Sequence, residues 1–246
     1  MNPRGISPAP FHVFAGLRTL RQGGHDGRPL SSIRLPDAMI HAWHDVPVGD
    51  EAPELFNALI EIPQGCKVKY ELDKDTGLLR VDRVLYSSVI YPDNYGFIPR
   101  TLGDDNDPLD VLVVMQEAVV PLSILTVRPI GMMTMVDQGQ NDEKIICVHT
   151  DDPAYNGYYH IWELPEHRLR ELKRFFEDYK KLEDKEVRVH DFLGPDKARG
   201  VVARGIERYR RLVAPKVKQE RAQKDLLRAR AAAELEEHED DGEAAA

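Results

Sequence analysis

Four aspartates occur within seven residues at the start of an apolar run, GDDNDPLDVLVVM, and they are Asp104, Asp105, Asp107 and Asp110. In an extended segment Asp105 and Asp107 share a face, and Pro108 bends the chain so that Asp110 can converge on them. Carboxylates packed this closely repel one another and raise each other's pKa unless a cation lies between them. The pattern favours a cation site, and the alternative is an acidic, solvated surface loop.

A second carboxylate pair supports the metal interpretation. Asp137 and Asp142 flank residues 138–141, a four-residue connection that suits a hairpin. Paired positions across a hairpin lie only about 5 Å apart. Glu61 and Glu71 add carboxylates on the first two predicted strands. Hard oxygen ligands without His or Cys select Mg²⁺, Mn²⁺ or Ca²⁺ over zinc, and we expect magnesium.

A carboxylate cage for magnesium usually serves phosphate chemistry, because Mg²⁺ keeps its waters and bridges to phosphate oxygens. Such a site needs further cations and hydroxyl donors, and the sequence offers Lys69, Arg83, Lys144, Lys180, Tyr91, Tyr95 and Tyr179. For Tyr179, core packing on a helix stripe is an equal alternative. The aspartate spacing does not match a calcium-binding EF-hand loop, and neither a P-loop nor a zinc-protease motif occurs.

Composition limits the class of protein. The net charge of -9 over 246 residues argues against a nucleic-acid binder, which needs a basic face. No apolar run approaches the ~20 residues of a membrane span. Two cysteines, Cys66 and Cys147, are too few for a disulfide framework and are expected to be reduced. Residues 1–25 contain three arginines and no acidic residue, which fits either a transit segment or a disordered extension.

Periodicity predicts a mainly β domain followed by helices. KVKYEL alternates strictly, so Lys69 and Glu71 point the same way, and LLRVDRVLY completes a hairpin with it. Short strands without intervening helices favour a closed antiparallel barrel. Pro165 opens one helix, and a second ends at Pro215. We expect an extension over 1–40, a folded domain over 41–214 and a charged, partly helical tail over 215–246.

The chain from about residue 41 to 195 resembles the soluble inorganic pyrophosphatases of the first family, closest to the plant type. The segments that carry the resemblance are EIPQGCKVKYELD, VDRVLYSSVIYPDNYGFIPRTL, DDNDPLDVLVVM, VDQGQNDEKI and RFFEDYKKLE. The motif D-x-D-P-x-D is highly specific for that family. The resemblance implies a five-stranded, OB-like antiparallel β-barrel with two C-terminal α-helices outside it and the active site in the barrel mouth.

The resemblance also implies roles for individual residues. The implied magnesium ligands are Asp105, Asp110, Asp137 and Asp142, with Glu61 and Glu71 in or just behind them. Asp107 is the implied general base and Tyr91 a proton donor or orienting hydroxyl. The implied phosphate-binding residues are Lys69, Arg83, Tyr95, Lys144, Tyr179 and Lys180. Asp93 departs from relatives, which often carry an uncharged residue or His there, and it adds negative charge close to the site.

The sequence therefore predicts Mg²⁺-dependent hydrolysis of pyrophosphate into two phosphates, with several ions and Mn²⁺ as a substitute. Direct attack of a metal-activated water is expected, because no nucleophile motif occurs. The alternatives are a hydrolase of nucleotides or polyphosphate and a non-catalytic module for metal or nucleic acid. We expect a cytoplasmic protein, or a plastid or mitochondrial one if residues 1–25 are a transit segment, with no membrane or nucleic-acid partner. A homo-oligomer stays open.

Overall fold

The computed structural model describes the backbone of residues 40–243 and the side chains of residues 40–230. The predicted extension over 1–40 therefore lies almost wholly outside the described residues. The strands are β1 (Phe56–Ile62), β2 (Val68–Leu72), β3 (Leu79–Val84), β4 (Asn94–Phe97), β5 (Asp110–Val114), β6 (Ile124–Asp137), β7 (Gln140–His149) and β8 (Val187–Leu193). The helices are α1 (Glu166–Asp178), α2 (Pro195–Leu212) and α3 (Ala214–Glu243).

Five strands form a closed ring, in the order β1-β4-β5-β7-β6, because β6 also pairs with β1. The sixth strand of the sheet, β8, pairs along β6. The predicted mainly β fold with C-terminal helices is thus confirmed. One pair within the ring, β5–β7, is parallel, because strands in a closed ring of five cannot alternate in direction all the way round. β2 and β3 form a separate two-stranded hairpin, as the alternation predicts.

Both faces of the sheet are buried, each against a different helix. In β5, Leu112 and Val114 pack in the cluster that contains α1, whereas Val111 and Val113 pack in the cluster that contains α2. Strands buried on both faces are expected to be continuously apolar. Asp110 lies two residues before Leu112, so its side chain is on the face of the sheet that packs against α1.

Two strands were not predicted from the sequence. β4 lies in YPDNYGFIP, whose prolines and glycine predict a turn, yet all four of its residues are buried. Gly96 is required there because a Cβ would come within 1.9 Å of the Leu59 carbonyl oxygen. β8 lies between α1 and α2 in the sequence, where no strand was expected. Its Val187 and Val189 are buried and alternate with exposed residues.

The C-terminal helices begin and end close to their predicted positions. α1 begins directly after Pro165, and its buried stripe contains Leu169, Leu172, Phe175 and Phe176. α2 ends at Leu212, and Pro215 lies in the first turn of α3 rather than ending α2. Beyond α2, the segment expected to be a partly helical tail contains α3, which extends to Glu243. In the part of the chain that the structure describes, none of the helices combines the length and apolar character of a membrane span.

Helix α2 packs on the sheet through Gly205, where a Cβ would lie 2.5 Å from Leu109 Cδ1 and 3.4 Å from Thr101 Cβ. We expect Gly205→Ala to lower the free energy of unfolding by about 1 kcal/mol, because overpacking outweighs the gain in helix propensity. The matched variant is Gly200→Ala, whose Cβ would meet only Arg204 Nη1 at 3.5 Å. It should raise the free energy of unfolding by up to about 1 kcal/mol. Urea denaturation measures the free energy of unfolding of both variants, and equal changes in the two would contradict the prediction.

Candidate active site

One cavity of about 310 Å³ gathers nearly all the predicted site residues on the α1 face of the sheet. The predicted residues that line it are Glu61, Lys69, Glu71, Tyr91, Tyr95, Asp105, Asp107, Asp110, Asp137, Asp142, Lys144, Tyr179 and Lys180. Lys74, Tyr70, Leu72, Phe97, Pro108 and Phe176 complete the lining. The structure therefore brings together side chains from β1, the hairpin, β4, β5, β6, β7 and the end of α1.

Arg83 is the predicted residue that does not line this cavity. Its Nε donates to Glu183 Oε1 at 2.8 Å, and its Nη1 contacts the Asp82 carboxylate. Lys69 also lies 3.2 Å from Asp82, so the two cations share one carboxylate on the inner side of the hairpin. The Nη2 of Arg83 is buried without a hydrogen-bond partner. The role predicted for Arg83 stays a prediction.

The parallel pairing of β5 with β7 places Lys144 directly opposite Asp110. The Lys144 ammonium contacts the Asp110 carboxylate and lies 2.7 Å from Asp142 Oδ2. Burial alone would lower the pKa of Lys144, but the two aspartates outweigh burial and raise it. Lys144 is therefore a permanently charged cation, only 4% exposed, in the middle of the carboxylates.

Asp137 and Asp142 lie on the same face of the β6–β7 hairpin, but they do not face each other. The turn has only two residues, Gln138 and Gly139, with φ of 49° and 86°. Asp137 consequently pairs with Gln140, and Asp142 pairs with Met135. The predicted four-residue connection is wrong, because positive φ at both central residues allows a tighter turn. The two aspartates are diagonal neighbours, and the Lys180 ammonium contacts Asp137.

Burial makes several carboxyl groups in the cavity harder to ionise. Glu61 is 7% exposed and accepts a hydrogen bond from the Leu72 backbone N–H at 2.7 Å. Its burial, together with the nearby Asp110 carboxylate, raises the pKa of Glu61 to about 8. Burial and neighbouring carboxylates also raise the pKa values of Asp105 and Asp142. A carboxylate-rich cavity of this kind is stabilised when cations enter it.

The tyrosines of the cavity are buried and remain protonated. Burial raises the pKa values of Tyr91, Tyr95 and Tyr179 above that of a free tyrosine. Tyr91 packs against Tyr95, with ring centroids 5.4 Å apart, and against Phe175 of α1 at 4.8 Å. The Tyr179 hydroxyl lies 3.4 Å from Asp137 Oδ2. These rings are both core residues and hydroxyl donors, so the two interpretations of Tyr179 do not exclude each other.

The side chains that line the cavity carry donor atoms suited to a hard metal ion. All of its anionic ligands are carboxylates, and His and Cys are absent from its lining, a donor set that suits Mg²⁺. Among the described side chains, no three acidic, His or Cys residues are gathered closely enough to hold an ion. Ammonium groups lie between them instead, as Lys144 does between Asp110 and Asp142. The donor set fits magnesium, and in this structure lysine ammonium groups neutralise part of the carboxylate charge.

Asp93 does not line the cavity, although the sequence suggested a charge close to the site. Its side chain is 1% exposed, and Arg168 Nη2 of α1 donates to its Oδ1 at 2.6 Å. The other oxygen, Oδ2, is buried without a partner. Burial raises the pKa of Asp93 to about 6, although Arg168 opposes the shift. The ion pair fastens α1 to the loop between Tyr91 and Tyr95.

This raised pKa predicts a pH-dependent stability. Between about pH 4 and pH 6 the native protein binds more protons at Asp93 than the unfolded chain does, so the free energy of unfolding falls as pH rises through that window. We expect Asp93→Asn to remove this contribution, which amounts to about 2 kcal/mol between pH 4 and pH 7. Urea denaturation of both proteins at several pH values measures it. Glu166→Gln, at an 84% exposed position in α1, is the control and should leave the wild-type profile unchanged.

Known proteins are similar to most of this chain. A family model described as "Inorganic pyrophosphatase" matches residues 58–210. A soluble inorganic pyrophosphatase of Chlamydomonas reinhardtii is 59% identical over 176 residues, which cover 72% of this chain and 92% of that protein. One from Arabidopsis thaliana is 60% identical over 171 residues, which cover 70% and 81%. The crystal structure of an inorganic pyrophosphatase from Thermus thermophilus is 38% identical, with a TM-score of 0.67 over 70% of this chain and 99% of that chain.

Proposed function

The chain belongs to the inorganic pyrophosphatase family and hydrolyses pyrophosphate, and we propose that it does so with Mg²⁺ and by direct attack of water. The observation that carries the proposal is the single cavity in which carboxylates, three lysines predicted to bind phosphate and buried tyrosine hydroxyls converge. The cavity is small and lined mainly by charged and hydroxyl groups, which suits a compact polyanion.

Asp105, Asp110, Asp137 and Asp142 would hold the magnesium ions, with Glu61 and Glu71 supporting them. Bound Mg²⁺ would lower the pKa of a water ligand and neutralise the phosphate oxygens. Mn²⁺ prefers similar oxygen ligands and is expected to substitute. An acidic cavity needs these cations because pyrophosphate is itself a dense polyanion. Carboxylate side chains would otherwise repel it.

The phosphate oxygens would be bound by Lys69, Lys144, Lys180, Tyr95 and Tyr179, with Arg83 at the hairpin. Lys69 and Lys180 each contact a carboxylate, Glu71 and Asp137 respectively. When the substrate enters, the ammonium groups can exchange these carboxylates for phosphate oxygens without losing an anionic partner. Catalysis of phosphoryl transfer depends mostly on such positioning and charge stabilisation.

Asp107 would act as general base. Its carboxylate takes one proton from the attacking water while the water oxygen bonds to phosphorus. The bridging P–O bond breaks, and the departing phosphate carries away the bond electrons. Of the two roles expected for Tyr91, its raised pKa favours the orienting hydroxyl over the proton donor, because the hydroxyl stays protonated and donates a hydrogen bond to the leaving oxygen. No phosphoenzyme forms in this scheme.

Other expectations from the sequence stay predictions. These are the division into 1–40, 41–214 and 215–246, the cytoplasmic location and the state of oligomerisation. They bear on where the enzyme works and with how many copies, and the proposed reaction needs none of them.

Phosphate release is the direct test of substrate and metal. We expect rapid release from pyrophosphate with Mg²⁺ or Mn²⁺, negligible release after chelation of divalent ions, and much slower release from ATP or polyphosphate. Faster hydrolysis of ATP would replace the proposed substrate. Full activity in the presence of a chelator would overturn the role of the metal. As an internal control, Mg²⁺ is added back to the chelated protein, and recovery of activity shows that chelation did not damage the enzyme.

A further inference from the structure

Lys74 is a cavity-lining cation to which the sequence analysis assigned no role. It lies in the turn of the hairpin, directly after β2 and Asp73. Its ammonium contacts the Asp107 carboxylate across a sequence separation of 33 residues. Both side chains are 50% exposed. An isolated ion pair this exposed contributes little to stability. A functional role for the pair therefore requires that the backbone hold Lys74 in place.

The turn that carries Lys74 is internally braced. Asp73 Oδ1 accepts hydrogen bonds from the Thr76 backbone N–H at 3.0 Å and the Thr76 hydroxyl at 2.9 Å. Asp73 Oδ2 accepts one from Arg80 Nε at 3.0 Å. The Gly77 N–H donates to the Asp73 carbonyl at 2.8 Å. These contacts define the backbone path on both sides of Lys74.

His41 contacts this turn from outside the hairpin. The Trp43 N–H donates to His41 Nδ1 at 3.3 Å, so the neutral ring carries its proton on Nε2. Nε2 then donates to the Lys74 carbonyl at 2.9 Å. The ring also packs on Gly77, where a Cβ would lie 3.1 Å from it. His41 therefore contacts both the backbone of Lys74 and the glycine that closes the turn.

The segment 41–45, which we call the brace, also contacts the other side of the cavity mouth. The Trp43 indole N–H donates to the Thr101 carbonyl at 2.9 Å. The Thr101 hydroxyl in turn accepts a hydrogen bond from the Leu109 N–H at 2.9 Å. Thr101 and Leu109 flank the loop that contains Asp107. The brace thus connects the turn that carries Lys74 with the base of the loop that carries Asp107.

We propose that Lys74 is a positioning residue for Asp107 and that His41 positions Lys74. The inference rests on the proposed function, because the role of Asp107 as general base is itself proposed. An ammonium held beside the carboxylate restricts its rotamers and keeps it aimed into the cavity. Small losses of orientation at a reacting group slow the chemical step by one to two orders of magnitude, roughly. Since Lys74 acts through Asp107, its loss affects kcat more than KM.

The first test replaces the cation while the hairpin is retained. Lys74→Gln should lower kcat for pyrophosphate about tenfold and change KM less than about twofold, because orientation is lost and binding is not. Lys74→Arg should restore most of kcat, which a merely structural role would not require. Lys67→Gln removes the same charge from an exposed position beside β2 that does not line the cavity, and should match the wild type. An unchanged kcat in Lys74→Gln, or an effect confined to KM, would overturn the proposal.

The second test examines the brace. His41→Phe keeps a ring against Gly77 but removes the donor to the Lys74 carbonyl, so kcat should fall by part of the Lys74→Gln effect. The double variant should be no slower than Lys74→Gln alone, since both changes act on one contact. Multiplying losses would overturn the role of His41. Thermal unfolding of each variant shows whether it is folded.

Asp107→Asn is assayed alongside these variants, so that loss of the positioning role can be distinguished from loss of the proposed general base. If Asp107→Asn is inactive while Lys74→Gln matches the wild type, the positioning role fails and the proposed function stands. If Asp107→Asn retains full activity, the role of the base fails first, and the proposal on Lys74 fails with it.

Discussion

Asp107→Asn lowers kcat for pyrophosphate by about three orders of magnitude, because an amide cannot accept the proton of the attacking water. The side chain keeps its size, and Asp107 is half-exposed, so folding should be unaffected. Binding should persist, since Asp107 is not among the residues proposed to hold metal or phosphate. Phosphate release under saturating Mg²⁺ measures kcat, and calorimetric titration with a non-hydrolysable diphosphonate measures binding.

The matched control for this result lies in the same loop. Asp104 is 82% exposed and pairs with Arg208 of α2, outside the cavity of the candidate site. Asp104→Asn removes the same charge three residues from Asp107 and should leave kcat within about twofold of the wild type, as for an exposed surface position. Equal rates in Asp107→Asn and the wild type would refute the assignment of the base. An equal loss in both variants would instead indicate a general electrostatic effect of the loop.

Lys144→Met lowers the free energy of unfolding of the metal-free protein by about 3–5 kcal/mol. Removal of the ammonium leaves Asp110 and Asp142, both partly buried, side by side without their cation. Methionine fills most of the space, so the loss reports charge rather than packing. Urea denaturation in the presence of a chelator measures it. The control is Lys173→Met on α1, where a surface pair of 3.9 Å with Glu177 predicts a loss below about 1 kcal/mol.

Magnesium should rescue the Lys144→Met protein more than it stabilises the wild type. The two aspartates that lose the ammonium are proposed magnesium ligands. A bound divalent ion would therefore neutralise their negative charge in place of Lys144. The rise in Tm on addition of saturating Mg²⁺ should therefore be larger in the variant. An equal rise in both proteins would mean that the ion binds elsewhere. An unchanged stability of the chelated variant would mean that Lys144 does not compensate these carboxylates.

Much of the candidate site is predictable from the sequence because its signals are local. D-x-D-P-x-D at the start of an apolar strand carries three aspartates, Asp105, Asp107 and Asp110, to one place within six residues. Strand alternation places Lys69 and Glu71 on one face, and these two side chains are in contact. Periods of 2 and 3.6 residues can be read from the residues themselves, so a β-ring and its helices follow from patterning.

In two segments the local sequence pattern favours a structure or environment different from the one that forms. In β4 the sequence YPDNYGFIP contains two prolines and a glycine, which favour a turn. The glycine instead marks the close approach of the Leu59 carbonyl, a contact with a strand more than thirty residues earlier. The position of Lys74 in a polar turn indicates a solvated side chain and no role in a site. Nothing within DKDTG predicts that the hairpin folds toward Asp107.

The sequence by itself determined which chemistry the chain can perform: the types of ligand, base, cation and hydroxyl, and the order in which the strands and helices present them. Only the tertiary structure decided which of these groups meet. The parallel β5–β7 register places Lys144 against Asp110, the two-residue turn offsets Asp137 from Asp142, and packing of α1 turns Asp93 away from the cavity toward Arg168. Residues 30 to 75 positions apart are brought together by strand register and core packing, which depend on the whole chain at once and leave no local period to read.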